Sequence, residues 1–288
     1  MFQKIANHAT NQSMKLKRTL FLFALSLAFG YLIHLANFWY LDHWLIDFKF
    51  RSTPNTRLSD SVKLIGVDST SISKFNGKLD LSDLTKLLNR LKLSEPITTV
   101  FMFDISKLPS SANDNADFIE SAKKLREVLV GLDIAPLKNE LQNYQYKNEL
   151  TNIPVYPAPY TVDTTTWGED DVARRAFIWD EGRQSLFPYL ANKITRRNWS
   201  EYRGQFDQYG SSQLHVDFRK PGTFKIYSMI DVIDGHVPLE TFKDKIVLVG
   251  NITTQIEDNL KTPFSRNRYD TSMLEVKANY IETLISDT

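Results

Sequence analysis

Cysteine is missing from all 288 residues. Its absence excludes structural disulfides, thiol nucleophiles and thiolate-held zinc or iron–sulfur centres, and it suits a bacterial chain exported into an oxidising compartment. An excess of either charge is missing too: 35 Lys and Arg stand against 34 Asp and Glu, a formal charge of +1. Nothing in that balance draws the chain to nucleic acid or to an acidic polymer. The chain also lacks the Gly-rich dinucleotide fingerprint and the Gly-Lys-Ser/Thr ending of a phosphate-binding loop. Its histidines, His8, His34, His43, His215 and His236, are scattered, so a His-centred triad or zinc site would have to be assembled from distant positions. No catalytic residue, resident metal or cofactor is expected.

Long apolar runs are scarce, with one exception. Leu20–Leu41, LFLFALSLAFGYLIHLANFWYL, carries no Asp, Glu, Lys or Arg. Its length of about 22 residues is enough to cross a hydrocarbon layer about 30 Å thick. Lys15, Lys17 and Arg18 precede it while Asp42 and Asp47 follow, which places the N-terminus in the cytoplasm and the remaining chain outside. Trp39, Tyr40 and Trp44 mark the outer interface, with His34 directed toward it. A cleaved signal peptide would have a shorter apolar region ending in small residues, whereas this one ends in aromatics.

A Pro/Ser/Thr/Asn connector sets a boundary near residue 55. Beyond it, Val62–Val67, Thr99–Phe103, Val128–Leu132 and Lys245–Val249 are short, nearly continuous apolar runs, as in strands buried on both faces. Between the first two, Leu84, Leu87, Leu88 and Leu91 have helical spacing within Ser82–Leu93, with Ser82 as N-cap; Phe118, Ala122 and Leu125 repeat the pattern. Strand and helix alternation implies right-handed crossovers and a largely parallel central sheet flanked by helices, an α/β fold preceded by one N-terminal transmembrane helix. Residues Leu137–Trp167 break the rhythm, with a short helix expected at Leu137–Leu150 and then an extended loop. Val172–Trp179 and Gln213–Phe218 are expected as strands, and Ser185–Thr195 and Met273–Ile285 as helices, the last with Leu274, Ala278, Ile281 and Ile285 inward.

Ligands of parallel sheets gather beyond the carboxyl ends of the strands, where Asp68, Asp104, Asp133 and the turn Gly250-Asn251-Ile252-Thr253-Thr254 fall. Asp68 and Asp104 are candidates to hold a hard cation, although strand-end Asp residues more often cap the following turn. A hydrolase built on that cation would need a fuller ligand set. Asn251, Thr253 and Thr254 are candidates to meet an anion. Arg174 and Arg175 offer guanidinium forks to a carboxylate or phosphate, against the alternative of local pairing with Glu169-Asp170-Asp171.

The stretch Thr223–Leu260, TFKIYSMIDVIDGHVPLETFKDKIVLVGNITTQIEDNL, together with LIGVDSTSI, VFMFDI, EDDVARRAFIW, SLFPYLANKI and EVKANYIETLI, resembles the type 2 CHASE family, the extracellular sensory domains of bacterial receptors. The resemblance covers residues 45–285. It departs from the family pattern at NGKLDLSDL and at Met273 and Lys277, where the closing helix usually carries Gly and His. The resemblance implies a ligand- or protein-sensing domain feeding a cyclase, kinase or diguanylate cyclase. Taken with the apolar run, this divides the chain into a cytoplasmic N-terminus at 1–18, a transmembrane helix at 19–41, a periplasmic domain at 42–285 and a truncated or native end at 286–288, where a return crossing would begin. The implied partners are the cytoplasmic membrane, a small ligand or envelope protein, and a second copy in a homodimer. A membrane-tethered envelope scaffold without output is the alternative.

Overall fold

The computed structural model describes residues 17–33, 39–52, 57–133, 153–159, 170–180, 183–208, 210–252, 259–265 and 268–286. The chain divides into two units, Met1–Ile46 and Asp47–Thr288.

In the first unit, residues 17–33 form a helix, α1, whose apolar side chains are exposed throughout, Phe21 and Phe29 among them. Among the described residues no helix is long and apolar enough to cross a membrane. Residues 34–38 of the expected span lie outside the described residues, and its last residues, from Trp39, belong to a helix of their own, α2 (Trp39–Ser52).

The second unit is built on strands β1 (Val62–Val67), β2 (Thr98–Phe101), β3 (Val128–Leu132), β4 (Val155–Pro157), β5 (Arg175–Asp180), β6 (Arg183–Gln184), β7 (Gln205–Gln208), β8 (Ser211–His215), β9 (Ile226–Ser228), β10 (Ile246–Asn251), β11 (Asn259–Leu260) and β12 (Thr271–Ser272). Its further helices are α3 (Ser69–Lys74), α4 (Leu81–Leu91), α5 (Ala112–Ala122), α6 (Leu186–Thr195), α7 (Met229–Ile233) and α8 (Met273–Ser286). Six strands form one sheet in the order β4-β3-β2-β10-β1-β9, and every neighbouring pair is parallel. The near-continuous apolar runs of β1, β3 and β10 follow from burial on both faces. Against one face pack Leu84, Leu87 and Leu88 of α4, Phe118 of α5 and Met229 of α7; against the other pack Phe187 and Leu190 of α6 and Leu274, Ile281 and Leu284 of α8.

The helix expected at Ser82–Leu93 starts earlier and is capped by Asp80, not Ser82. The Asp80 side chain accepts from Asp83 N at 2.9 Å and the Asp83 side chain from Asp80 N at 3.4 Å, a reciprocal box that satisfies two amides at the helix start. The strands expected at Val172–Trp179 and Gln213–Phe218 are β5 and β8, which join β6 and β7 in a separate four-stranded sheet, β6-β5-β8-β7, with every pair antiparallel and a register shift between Phe177 and Trp179. The helix expected at Leu137–Leu150 lies outside the described residues.

Helix α8 is buried on nearly every side, polar residues included. Its Glu282 accepts from Ser59 N and Oγ at 2.9 and 2.7 Å, Asn279 Oδ1 from Arg219 N at 2.9 Å, and Glu275 Oε1 from Gly222 N at 2.9 Å. These bonds fasten the segments leading into β1 and β9 to the outer side of the helix, and they meet polar groups that burial would otherwise strand. Burial still pushes the Glu275 carboxyl above its ordinary range, against the backbone amides of Phe224, Gly222 and Thr223.

Candidate functional site at the carboxyl edge of the sheet

Asp68 leaves β1 and caps α3. Its Oδ1 accepts from Ser71 N at 2.7 Å and from Ser71 Oγ at 2.6 Å. Ser228 Oγ, at the end of β9, donates to the same atom at 3.1 Å, so one carboxylate ties two neighbouring strand ends. Burial works to raise its pKa, but the Ser71 and Ser228 donors prevail and hold it below the ordinary carboxylate value. Asp104, past the end of β2, accepts from Ser106 N at 3.0 Å and Ser106 Oγ at 2.5 Å, with Lys107 Nζ 3.4 Å away.

The two carboxylates are not brought together. Strand β10 stands between β1 and β2, so the strands that deliver them are about 10 Å apart, twice the usual strand spacing. Among the described residues no group of His, Cys, Asp and Glu is arranged to hold a metal ion. Asn251 is exposed at the end of β10, opposite Val67 of β1. Thr253 and Thr254 lie outside the described residues.

Arg174 precedes β5 and is 1 % exposed. Its guanidinium meets Asp47 through Nε to Oδ1 at 2.8 Å and Nη2 to Oδ2 at 2.9 Å. Asp170 meets it through Nη1 to Oδ1 at 2.9 Å and Nη2 to Oδ2 at 2.6 Å. The fork is therefore occupied by carboxylates of the chain itself, one from α2 and one from the acidic turn four residues back. Arg175 begins β5 opposite His215 of β8 and is half-buried. The two neighbouring arginines serve different places, as alternation along an extended segment dictates.

Three residues of consequence were not among the candidates. Asp47 and Asp170 are the partners of Arg174. The third is Lys277, which is 1 % exposed and lies one turn into α8. Burial pushes its amine down to about 8, against the pull of Asp133 at the end of β3. Its position was visible in the helical period, because Lys277 falls three residues after Leu274 and four before Ile281, on the stripe that faces the core.

The parallel sheet, with Asp68 closing β1, the Ile246–Asn251 strand beside it and α8 laid across both, is the arrangement to set beside known families. The family model described as the CHASE2 domain matches residues 20–288. This chain belongs to the CHASE2 domain family. CHASE2 domains are extracellular sensory domains of signalling proteins, and their business is sensing, not catalysis. The match extends the resemblance read from residues 45–285 upstream into the apolar segment. Comparison with curated proteins gives no match, and neither does comparison with solved structures.

Proposed function

We propose that this CHASE2 domain is the periplasmic sensory part of a bacterial receptor, held to the inner membrane by the apolar segment at residues 19–41. A ligand or envelope protein engages the carboxyl edge of the sheet and shifts the population between two domain states. The shift reaches the cytoplasmic side through α2 and the membrane segment, toward a cyclase, kinase or diguanylate cyclase output. The exposed apolar side chains of α1 support the anchor, because a helix coated with Leu and Phe on all sides has its solvent in lipid.

The observation that carries the reading is the buried bridge from Asp47 of α2 through Arg174 to Asp170. In the chain, α2 takes up the last residues of the apolar segment and runs on to Ser52, so a displacement of the β5 entrance is passed to the residues next to the membrane. The Arg174–Asp47 pair is wholly out of solvent, so separating its members leaves a costly buried charge. Removing the guanidinium should free α2 from the domain. In full-length protein in nanodiscs, spin labels on cysteines placed at Lys49 and Arg126, both exposed, should give a narrow distance distribution that Arg174→Met broadens. An unchanged distribution would break the link between site and membrane.

A further inference from the structure

An ammonium on a buried helix ought to have a counter-ion in contact. Among the described residues no hydrogen bond and no ion pair reaches Lys277 Nζ, although the residue is 1 % exposed, and Asp133 acts on it through the field. A buried charge left this way is costly, and it is relieved either by easier loss of the proton or by a bound ion or ligand.

The surroundings of the amine can be placed by register. Gly66 of β1 pairs with Gly250 of β10, Met102 N donates to Val249 O, and Phe101 pairs with Val130. A row Gly66, Gly250, Met102, Gly131 therefore runs across four strands at the carboxyl edge. Two helices start on this row. A Cβ on Gly131 would stand 2.5 Å from Leu186 Cδ2 in the first turn of α6, and a Cβ on Gly250 would stand 2.9 Å from Leu274 Cδ1 in the first turn of α8. Both helices then run back along the sheet: Tyr189 of α6 reaches Glu127 at the foot of β3, and Glu282 of α8 reaches Ser59 before β1. Lys277 lies one turn into α8, and helix side chains lean toward the N-terminus. Its amine is thereby carried back to the edge, toward Asp133, two residues past Gly131.

The first turn of α6 adds a second source of positive potential. Its N-cap residue, Ser185, makes no side-chain cap; the Ser185 hydroxyl donates to Phe177 O at 2.6 Å instead. The start of α8 is capped by Ser272 Oγ, which accepts from Glu275 N at 3.1 Å, so it is the uncapped start of α6 and the ammonium that converge where the glycines let the helices approach the sheet.

We propose that Lys277, at the shared start of α6 and α8, binds a small oxyanion, a carboxylate or phosphate group, and that this anion is the ligand to which the edge responds. The inference rests on the sensory reading of that edge. An anion supplies the counter-charge Lys277 lacks, which the exposed Asp133 at the rim offsets only in part. Lys277 was read in the sequence only as a departure from the family pattern, and the structure gives that departure a chemical purpose.

The test uses the full chain in nanodiscs, with inorganic phosphate and succinate as separate probes at pH 7, followed by calorimetric titration and thermal unfolding. At least one anion should bind the wild type and raise its midpoint, and the stronger of the two identifies the source. Lys277→Met keeps the stem and drops the charge, so it should fold at least as well as the wild type while losing about ten- to a hundred-fold in affinity. Asp133→Asn removes the competing carboxylate and should tighten binding. If neither anion binds the wild type, or if the two variants bind as the wild type does, the anion is adventitious only and the site is refuted. The sensory reading fails separately, if the domain proves cytosolic while anion binding remains intact.

Discussion

Arg174 and Asp47 lie 127 residues apart in the chain and meet as fork and carboxylate, at 2.8 and 2.9 Å, with both side chains wholly out of solvent. Asp170 completes the group from the other side of the guanidinium. Two charges withdrawn from water gain from each other only while both are present, so the sign of a mutation depends on whether it leaves a charge behind.

Arg174→Met alone leaves Asp47 buried without its guanidinium and should cost about 3–5 kcal/mol of domain stability. Combining it with Asp47→Leu should recover most of that loss. Denaturant unfolding of the two single variants and the double variant measures the coupling, and additive losses would contradict it.

Acid should loosen the joint between β1 and β9. Asp68 is held below its ordinary value of 3.8 by Ser71 and Ser228 against the effect of burial. Its contribution is therefore fully present above pH 3.8 and is lost as pH falls through the lower, folded pKa. Asp68→Asn should flatten this acid limb of the stability profile relative to wild type. Parallel limbs would show that the serine bonds do not favour the charged form.

Alkali should do the reverse at Lys277, pushed down to about 8 from an ordinary 10.5, with Asp133 the one described charge acting on it. Below about pH 8 folded and unfolded chains both carry the proton. Between there and 10.5 the unfolded chain holds more, so stability climbs with pH across that window. Lys277→Met should lack the climb; equal slopes in the two proteins would mean that the amine is not desolvated.

Gly131 lets Leu186 rest on the sheet, and Gly131→Ala would place a Cβ 2.5 Å from Leu186 Cδ2 and 3.1 Å from Met102 Sδ. A loss of about 1–3 kcal/mol is expected, as for other overpacked cores. Adding Leu186→Ala to make room should reduce the penalty of the glycine substitution. If that penalty is the same with either residue at 186, the close approach does not matter.

The four inner strands of the parallel sheet were readable because strands buried on both faces become unbroken apolar runs: β1 and β3 have the expected bounds, and β2 and β10 are displaced by a residue or two, while the short edge strands β4 and β9 carry no such run. Of the antiparallel sheet, β5 and β8 were readable as strands but their pairing was not, because β7 is Gln205–Gln208 with a single apolar residue and the pairing of β5 to β8 depends on contacts remote in sequence. The N-cap of α4 was misread for a local reason: Asp80 and Ser82 are both competent caps, and an Asp at 83 in place of the usual Glu or Gln conceals the box. For the site, the strand-end Asp68 and Asp104 could be placed at the edge from sequence alone. That Arg174 would be filled by Asp47, and that Lys277 on its core-facing stripe would have only Asp133 to offset its charge among the described residues, required the fold.

The placement of the domain across the membrane is tested most directly by thiol labelling, for which the native chain offers a clean background. Single cysteines at Ser13, ahead of the apolar segment, and at Ser110, exposed before α5, are treated with a membrane-impermeant maleimide in intact spheroplasts and again after lysis. The account predicts labelling at residue 110 in intact cells and at residue 13 only after lysis. Protection of residue 110 until lysis would contradict it.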